Sequence, residues 1–167
     1  MGGKAHGGRR IERGEAIRIY SDLTGFGPMG CGNWIYQSEL CGSYRRGKPD
    51  CGDLDIVVVP EDHDTFDAWC VNLFGYQKSG KPARNGLYEG AQVEFYVAKK
   101  ENLGTFLQMW TGSMQHNVLL RKAALKKGFS MSQYGFRNES TGELHLCQSE
   151  DEVYKFLDMD FVPPNKR

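Results

Sequence analysis

Two aspartates, Asp53 and Asp55, open the run DLDIVVVP. Alternate side chains of an extended strand share a face, so both carboxylates point the same way. Paired hard oxygen donors suit Mg2+. Two such ions about 3.5–4 Å apart are the usual device for activating an attacking oxygen and stabilising the leaving oxygens of an in-line phosphoryl displacement. Upstream, Gly42-Ser43 stands where a strand gives way to a turn or short helix, which lets backbone N–H groups and the Ser43 hydroxyl face an anion. Arg46 adds a planar positive fork for the charge on a departing pyrophosphate, and Gly52 lets backbone approach a triphosphate closely. A D-x-D or a Gly-Ser pair alone is ordinary. Their joint occurrence as G-S-x-R-R-G-x-x-x-x-G-D-x-D is restrictive and points to nucleotidyl transfer.

A third acid is expected from a neighbouring strand, and QVEFYV offers Glu94, with Val93 and Phe95 on the opposite, core-facing side. A lone Glu on a half-buried strand is more often just solvated. Beside two aspartates, however, it would suffer repulsion without cations to offset it, which favours a role as ligand and base.

The elements that must position these groups follow from periodicity. Residues 9–23 space Ile11, Ala16, Ile17, Tyr20 and Leu23 as one amphipathic helix. A glycine-rich loop and the strand WIYQSEL lead into the phosphate motif, and DLDIVVVP reads as a strand buried on both faces and closed by Pro60. Residues 64–75 return to helical spacing, with Phe66, Trp69, Cys70 and Leu73 inward and Gly75 as C-cap. LYEG and AQVEFYVA form a hairpin turning near Glu89-Gly90. Beyond Lys100 the texture is helical through NLGTFLQMW and TGSMQHNVLLRKAALKKG, with Met114, Val118, Ala124 and Leu125 as the inner face and Gly128 as the stop. Short strands around SQYGFRN and ELHLC precede SEDEVYKFL, whose Ser149 and Glu152 make a capping-box pattern. The expected fold is α+β, a mixed sheet flanked by helices over residues 1–100 followed by a smaller α+β unit over residues 101–167. The glycine-rich residues 1–8 are expected to be flexible.

At 167 residues and 40% hydrophobic content the chain suits one ordinary domain or two small lobes. No apolar run approaches the roughly 18 residues of a membrane helix, and the N-terminus lacks a signal-peptide block, so a soluble intracellular protein is expected. Five cysteines without paired metal-ligand spacing disfavour zinc and a secreted disulfide framework. Lys and Arg total 21, as do Asp and Glu, which argues against a generally basic nucleic-acid binder. Yet residues 99–137 carry seven Lys/Arg against Glu101 alone, and residues 138–164 carry seven Asp/Glu against Lys155 alone. A local basic band can hold a phosphate backbone on a neutral molecule; the plain alternative is a solvated helix face.

At this point the chain resembles the family X DNA polymerases, typified by polymerase beta. CGSYRRGKPDCGDLDIVV is similar to that family's palm signature, WTGSMQHNVLLRKAALKKGFSMSQYGF to its nucleotide- and template-binding segment, and SEDEVYKFLDMDFVPPNKR to its C-terminal closing segment. The resemblance implies a nucleotidyltransferase palm in which Asp53, Asp55 and Glu94 hold two Mg2+ ions, with Mn2+ as a substitute. It implies that Gly42, Ser43, Arg46 and Gly52 hold the β and γ phosphates, that Met109 and Trp110 lie beside the nucleotide sugar, and that Gly112 ends a tight turn. Asn117 would meet the incoming base and Arg121 the template strand, with Lys122, Lys126 and Lys127 completing the DNA-binding band. The implied partners are primer-template or gapped DNA and deoxynucleoside triphosphates, taken up by a monomer.

Three positions depart from the family pattern: Glu94 replaces the usual Asp, Gln92 replaces an Arg, and the sugar-proximal pair is Met109-Trp110. Only 42 residues precede Ser43, too few for a DNA-gripping lyase lobe, which resembles the small viral members. Two other readings stand beside DNA-directed synthesis. The Trp110-Thr111-Gly112-Ser113 run is similar to that of template-independent terminal transferase, although the stretch between Pro60 and Gln92 is short for a template-displacing loop. A catalytically silent DNA-binding module would treat Glu94 as decay of the metal site.

Overall fold

The computed structural model describes residues 9–75 and 83–167. The glycine-rich residues 1–8, expected to be flexible, and part of the 60–92 stretch lie outside the described residues. In chain order the elements are β1 (Ile11–Glu12), α1 (Arg13–Thr24), β2 (Ile35–Leu40), α2 (Gly42–Arg45), β3 (Asp50–Cys51), β4 (Leu54–Pro60), α3 (His63–Phe74), β5 (Ala83–Tyr88) and β6 (Ala91–Val97). They continue as α4 (Leu103–Thr111), α5 (Met114–Lys126), β7 (Phe129–Ser132), β8 (Gly135–Asn138), β9 (Leu144–His145) and α6 (Glu150–Phe156). No described helix is long and apolar enough to cross a membrane.

The central sheet runs β2-β4-β6-β5. It is mixed: β4 pairs antiparallel with β2 and parallel with β6, while β5 and β6 form the expected hairpin through Glu89 and Gly90, both at positive φ. Period-two alternation sorts its side chains. Leu54, Ile56, Val58, Val93 and Phe95 point to one face, where Ala16, Ile19 and Leu23 of α1 and Phe66 and Cys70 of α3 cover them. Val57, Val59, Tyr96 and Ala98 point to the other, where Leu103 and Phe106 of α4 cover them. The apolar run of β4 is therefore buried on both faces, as its composition requires. At α3 the Asp62 carboxylate accepts from Asp64 N–H at 3.0 Å and from the Thr65 hydroxyl at 2.7 Å, and the helix stops at Gly75, φ 80°.

Beyond the sheet, α5, α6 and the small β7-β8-β9 sheet enclose a second core of Leu120, Ala124, Met131, Phe136, Cys147, Val153, Tyr154 and Leu157. Helix α4 joins the two cores. Gly104 on its outer side lies against Ser149, where an added Cβ would meet the Ser149 carbonyl oxygen at 2.2 Å. Gly104 N–H also donates to the Cys147 carbonyl at 2.9 Å. A helix with sheet on one side and the root of α6 on the other can hold no side chain at that crossing.

Three local expectations are corrected. Ile11 belongs to a two-residue strand paired with Cys51, not to the first helix; within that helix Ile17 is 41% exposed while Ile19 is buried. Met114, Val118 and Leu125 of α5 are 81%, 43% and 58% exposed, because the small sheet and α6 take the stripe of Leu120 and Ala124 instead. The Ser149 hydroxyl accepts from Glu152 N–H, but the Glu152 carboxylate accepts from Gln148 N–H rather than from Ser149, so the capping box is displaced by one residue.

Candidate active site

Asp55 and Glu94 are register partners on the parallel strands β4 and β6, and they continue the row Val57, Val59, Tyr96 that α4 covers. Where α4 ends at Thr111 the cover ends, and the row changes from apolar to acidic. The opening is a cleft of about 660 Å³ lined by Arg46, Asp55, Tyr96, Trp110, Asn117 and Arg121, among others. Gly112 and Met109 also line it.

Gly42, at φ 55°, is required twice over at the rim: a Cβ there would lie 2.0 Å from Asp55 Oδ2. Ser43 follows in the single turn of α2. The two arginines of the motif do different work. Arg46 lines the cleft and donates to the Thr111 carbonyl at 2.6 Å. Arg45 turns away, donating to the Thr111 hydroxyl at 2.7 Å and pairing with Glu150 at 2.7 Å. Gly52 sits between β3 and β4, with the Arg10 guanidinium as the nearest group to a Cβ built there, at 3.4 Å.

From the other side, Asn117 of α5 is held by α4: its Nδ2 donates to the Met109 carbonyl at 2.8 Å, and its Oδ1 accepts from Gln108 at 2.8 Å. Arg121, one turn on, reaches Met109 Sδ at 3.4 Å. Trp110 lies flat on Tyr96, ring centroids 3.4 Å apart and planes 13° from parallel. The peptide between Gly112 and Ser113 is cis. Arg121, Lys122 and Lys126 of α5 and Lys127 at its C-cap do not make one band. Arg121 faces the cleft, Lys122 and Lys126 line a separate shallow groove with Val118 and Leu119, and Lys127 pairs with Asp158. His116 is not the exposed residue its polarity suggests: its Nε2 lies 2.7 Å from the Tyr154 hydroxyl, and burial, then the Arg167 charge, lowers its pKa.

The carboxylates feel one another. Burial first, then repulsion from Asp53 and Glu94, pushes Asp55 up to about 7, against a hydrogen bond from Tyr96 and the Arg46 charge. Every donor in the group is a hard carboxylate oxygen, the chemistry that Mg2+ selects. Their mutual repulsion is the state a divalent cation relieves, so the residues fit such an ion. Among the described residues, however, no three His, Cys, Asp or Glu side chains stand as a ready-made metal cage. The Tyr96 hydroxyl takes one oxygen of Glu94, at 2.5 Å.

The raised Asp55 has a consequence for the metal-free protein. Between the unfolded value near 4 and the folded value of about 7, the folded chain holds a proton that the unfolded chain has released. Stability therefore falls as pH rises through that window and is lowest above it, by roughly 3–5 kcal/mol in total. Urea midpoints measured against pH in EDTA are expected to show this slope in the wild type and to lose most of it in Asp55→Asn. Equal slopes would mean the carboxylates do not crowd.

Tyr96, Met114, Val118 and Gln133 line the cleft without having been anticipated. The alternation that picked out Glu94 also puts Tyr96 on its face, and that was the one available signal.

Comparison with known proteins covers the same ground. Residues 106–167 match the DNA polymerase beta thumb family. The chain is 29% identical over 140 residues to the DNA polymerase/3'-5' exonuclease PolX of Bacillus subtilis (strain 168), covering 80% of this chain and 24% of that protein. It is 28% identical over 163 residues to DNA polymerase lambda of Arabidopsis thaliana, covering 75% of this chain and 31% of that one. It thus spans 24% and 31% of the length of these relatives. Leishmania infantum polymerase beta in its ternary P/T complex superposes with a TM-score of 0.74 at 21% identity, covering 95% of this chain and 77% of that chain. Its ternary gap complex gives 0.75 at 20%, covering 95% and 71%. The two strands that pair Asp55 with Glu94 and the helices that wall the cleft agree with these likenesses: the chain is similar in sequence to family X DNA polymerases and shares the fold of polymerase beta.

Proposed function

We propose that this chain adds deoxynucleotides to a primer 3′-hydroxyl under the direction of a DNA template, most usefully at short repair gaps. The observation that carries the reading is the cleft itself. Arg46 and Asp55 line it together with Asn117 and Arg121 of α5 and with Met109, Trp110 and Gly112, which supports the reading. A triphosphate needs a cation and backbone donors at one end, and a base needs a hydrogen-bonding wall at the other; these residues have that polarity.

Asp53, Asp55 and Glu94 would hold two divalent ions, which when bound supply charge stabilisation to the attacking and leaving oxygens. The chain's own contributions are distinct. Arg46 meets negative charge building on the pyrophosphate, and Ser43 and the backbone of Gly42 orient the phosphates. Glu94, one methylene longer than Asp, can accept the primer hydroxyl's proton directly or through water. Asn117 is presented at a fixed angle because Gln108 and the Met109 carbonyl hold its amide. Lys122 and Lys126 extend a positive surface along α5, and apolar Val118 and Leu119 between them suit the faces of sugars and bases. The boundary near residue 100, the monomeric state and the particular ions Mg2+ or Mn2+ belong to this same reading.

The relatives named above are DNA polymerases, and one solved neighbour is a gap complex; that supports DNA as the partner. A primer-extension assay on templated, gapped and single-stranded DNA, with each deoxynucleotide and ribonucleotide in Mg2+, tests it. Extension is expected to need a template and to follow its bases. Extension of a single strand without template would favour terminal transfer, and none on any substrate would favour the silent DNA-binding module.

A further inference from the structure

Tyr96 stands two residues beyond Glu94 on β6, on the same face, and is almost wholly buried. Its ring is clamped flat against the Trp110 indole, which fixes where the hydroxyl can reach. That hydroxyl donates to Glu94 Oε2 at 2.5 Å and also lies within hydrogen-bonding reach of Asp55. A neutral donor is thus set between two carboxylates on adjacent strands.

We propose that Tyr96 is a built-in competitor of the metal: its hydroxyl holds the Glu94 carboxylate in the metal-free protein and must give way before that oxygen can bind an ion. The inference rests on the metal-site reading given above and deepens it. An O–H donor stabilises the anionic cluster only until a cation arrives, because an oxygen committed to a hydrogen bond is less available as a ligand. The phenol therefore favours the metal-free state over the loaded one. The Trp110 stack makes the device depend on α4, since anything that shifts the end of that helix moves the hydroxyl with it. Tyr96 acts through Glu94 and is a positioning residue.

The test uses Mn2+ binding to the full chain without DNA or nucleotide, followed by electron paramagnetic resonance. Tyr96→Phe keeps the ring on Trp110 and removes only the donor. It is expected to tighten Mn2+ binding by roughly three- to tenfold, the worth of one hydrogen bond. In a Glu94→Gln background the same change is expected to tighten binding less than it does beside Glu94, because only the reach to Asp55 remains. Trp110→Leu, which leaves the phenol unclamped, is expected to tighten binding as well, and gives a second route to the answer if Tyr96→Phe folds poorly by circular dichroism. A wild type that binds Mn2+ with the same affinity as both Tyr96→Phe and Trp110→Leu, or more tightly than they do, overturns this proposal alone. A wild type that binds no Mn2+ at millimolar concentration overturns the metal-site reading and this proposal with it.

Discussion

Asp55→Asn is expected to lower the rate of primer extension by roughly a thousandfold or more, about 4 kcal/mol or more in the barrier. Asn keeps the shape of the side chain at the edge of β4 and can still accept from Tyr96, so the loss would report charge rather than architecture. Gly42 approaches this oxygen more closely than any residue with a side chain could, which makes the position intolerant of larger groups. Affinity for DNA should stay within about a factor of three, because phosphate contacts from basic side chains dominate it. The checks are single-nucleotide insertion kinetics and a DNA-binding titration at fixed salt. Normal turnover in Asp55→Asn would remove the cleft from consideration as the site of chemistry.

A second large effect is expected far from the carboxylates. Glu150, at the start of α6, is 7% exposed and accepts from two cations, Arg45 at 2.7 Å and Arg167 at 2.6 Å. The Arg167 side chain is fully buried, under the rings of Tyr154 and Phe161. Removing Glu150 leaves the buried Arg167 guanidinium without its carboxylate, while Arg45 keeps only Glu39, at 3.3 Å. Glu150→Ala is therefore expected to cost roughly 3–5 kcal/mol, which lowers the melting temperature by roughly 6–20 °C for a chain of this size. Arg18→Ala, which breaks exposed pairs with Asp22 and Glu89, should cost under about 1 kcal/mol. Similar losses for the two variants would show that the Glu150 cluster is solvated after all. The comparison is made by urea denaturation, with extension activity recorded at a temperature where both are folded.

What could be read from the sequence was what depends on near neighbours. The apolar DLDIVVVP run could only be an interior strand, and Asp55 lies on it; Asp53, expected on the same strand, stands in the bend just before Leu54, where alternation does not apply. Glu94 needed one further step, that an acid between Val93 and Phe95 lies on the face away from them. What escaped depends on partners distant in the chain. Helix α5 carries apolar residues on several sides, so spacing alone could not say whether Met114 and Val118 or Leu120 and Ala124 would meet the small sheet. Arg45 and Arg46 are adjacent and chemically identical, yet a helical step of about 100° sends one to Glu150 and the other to the cleft. Tyr96 looked like one more strand aromatic until Trp110 was seen lying on it. The short strand of Ile11 and Glu12 is too brief to leave a periodic trace, and its existence depends on Cys51 forty residues away.

The placement of α4 also bears on how the chain is made. Its residues are synthesised after every strand of the central sheet, yet they roof that sheet's second face. Until Leu103 and Phe106 leave the ribosome, Val57, Val59 and Ala98 lack the helix that covers them. The earlier-translated part is thus a half-clad sheet during its birth, and it can set into its final form only when its later-born helix arrives.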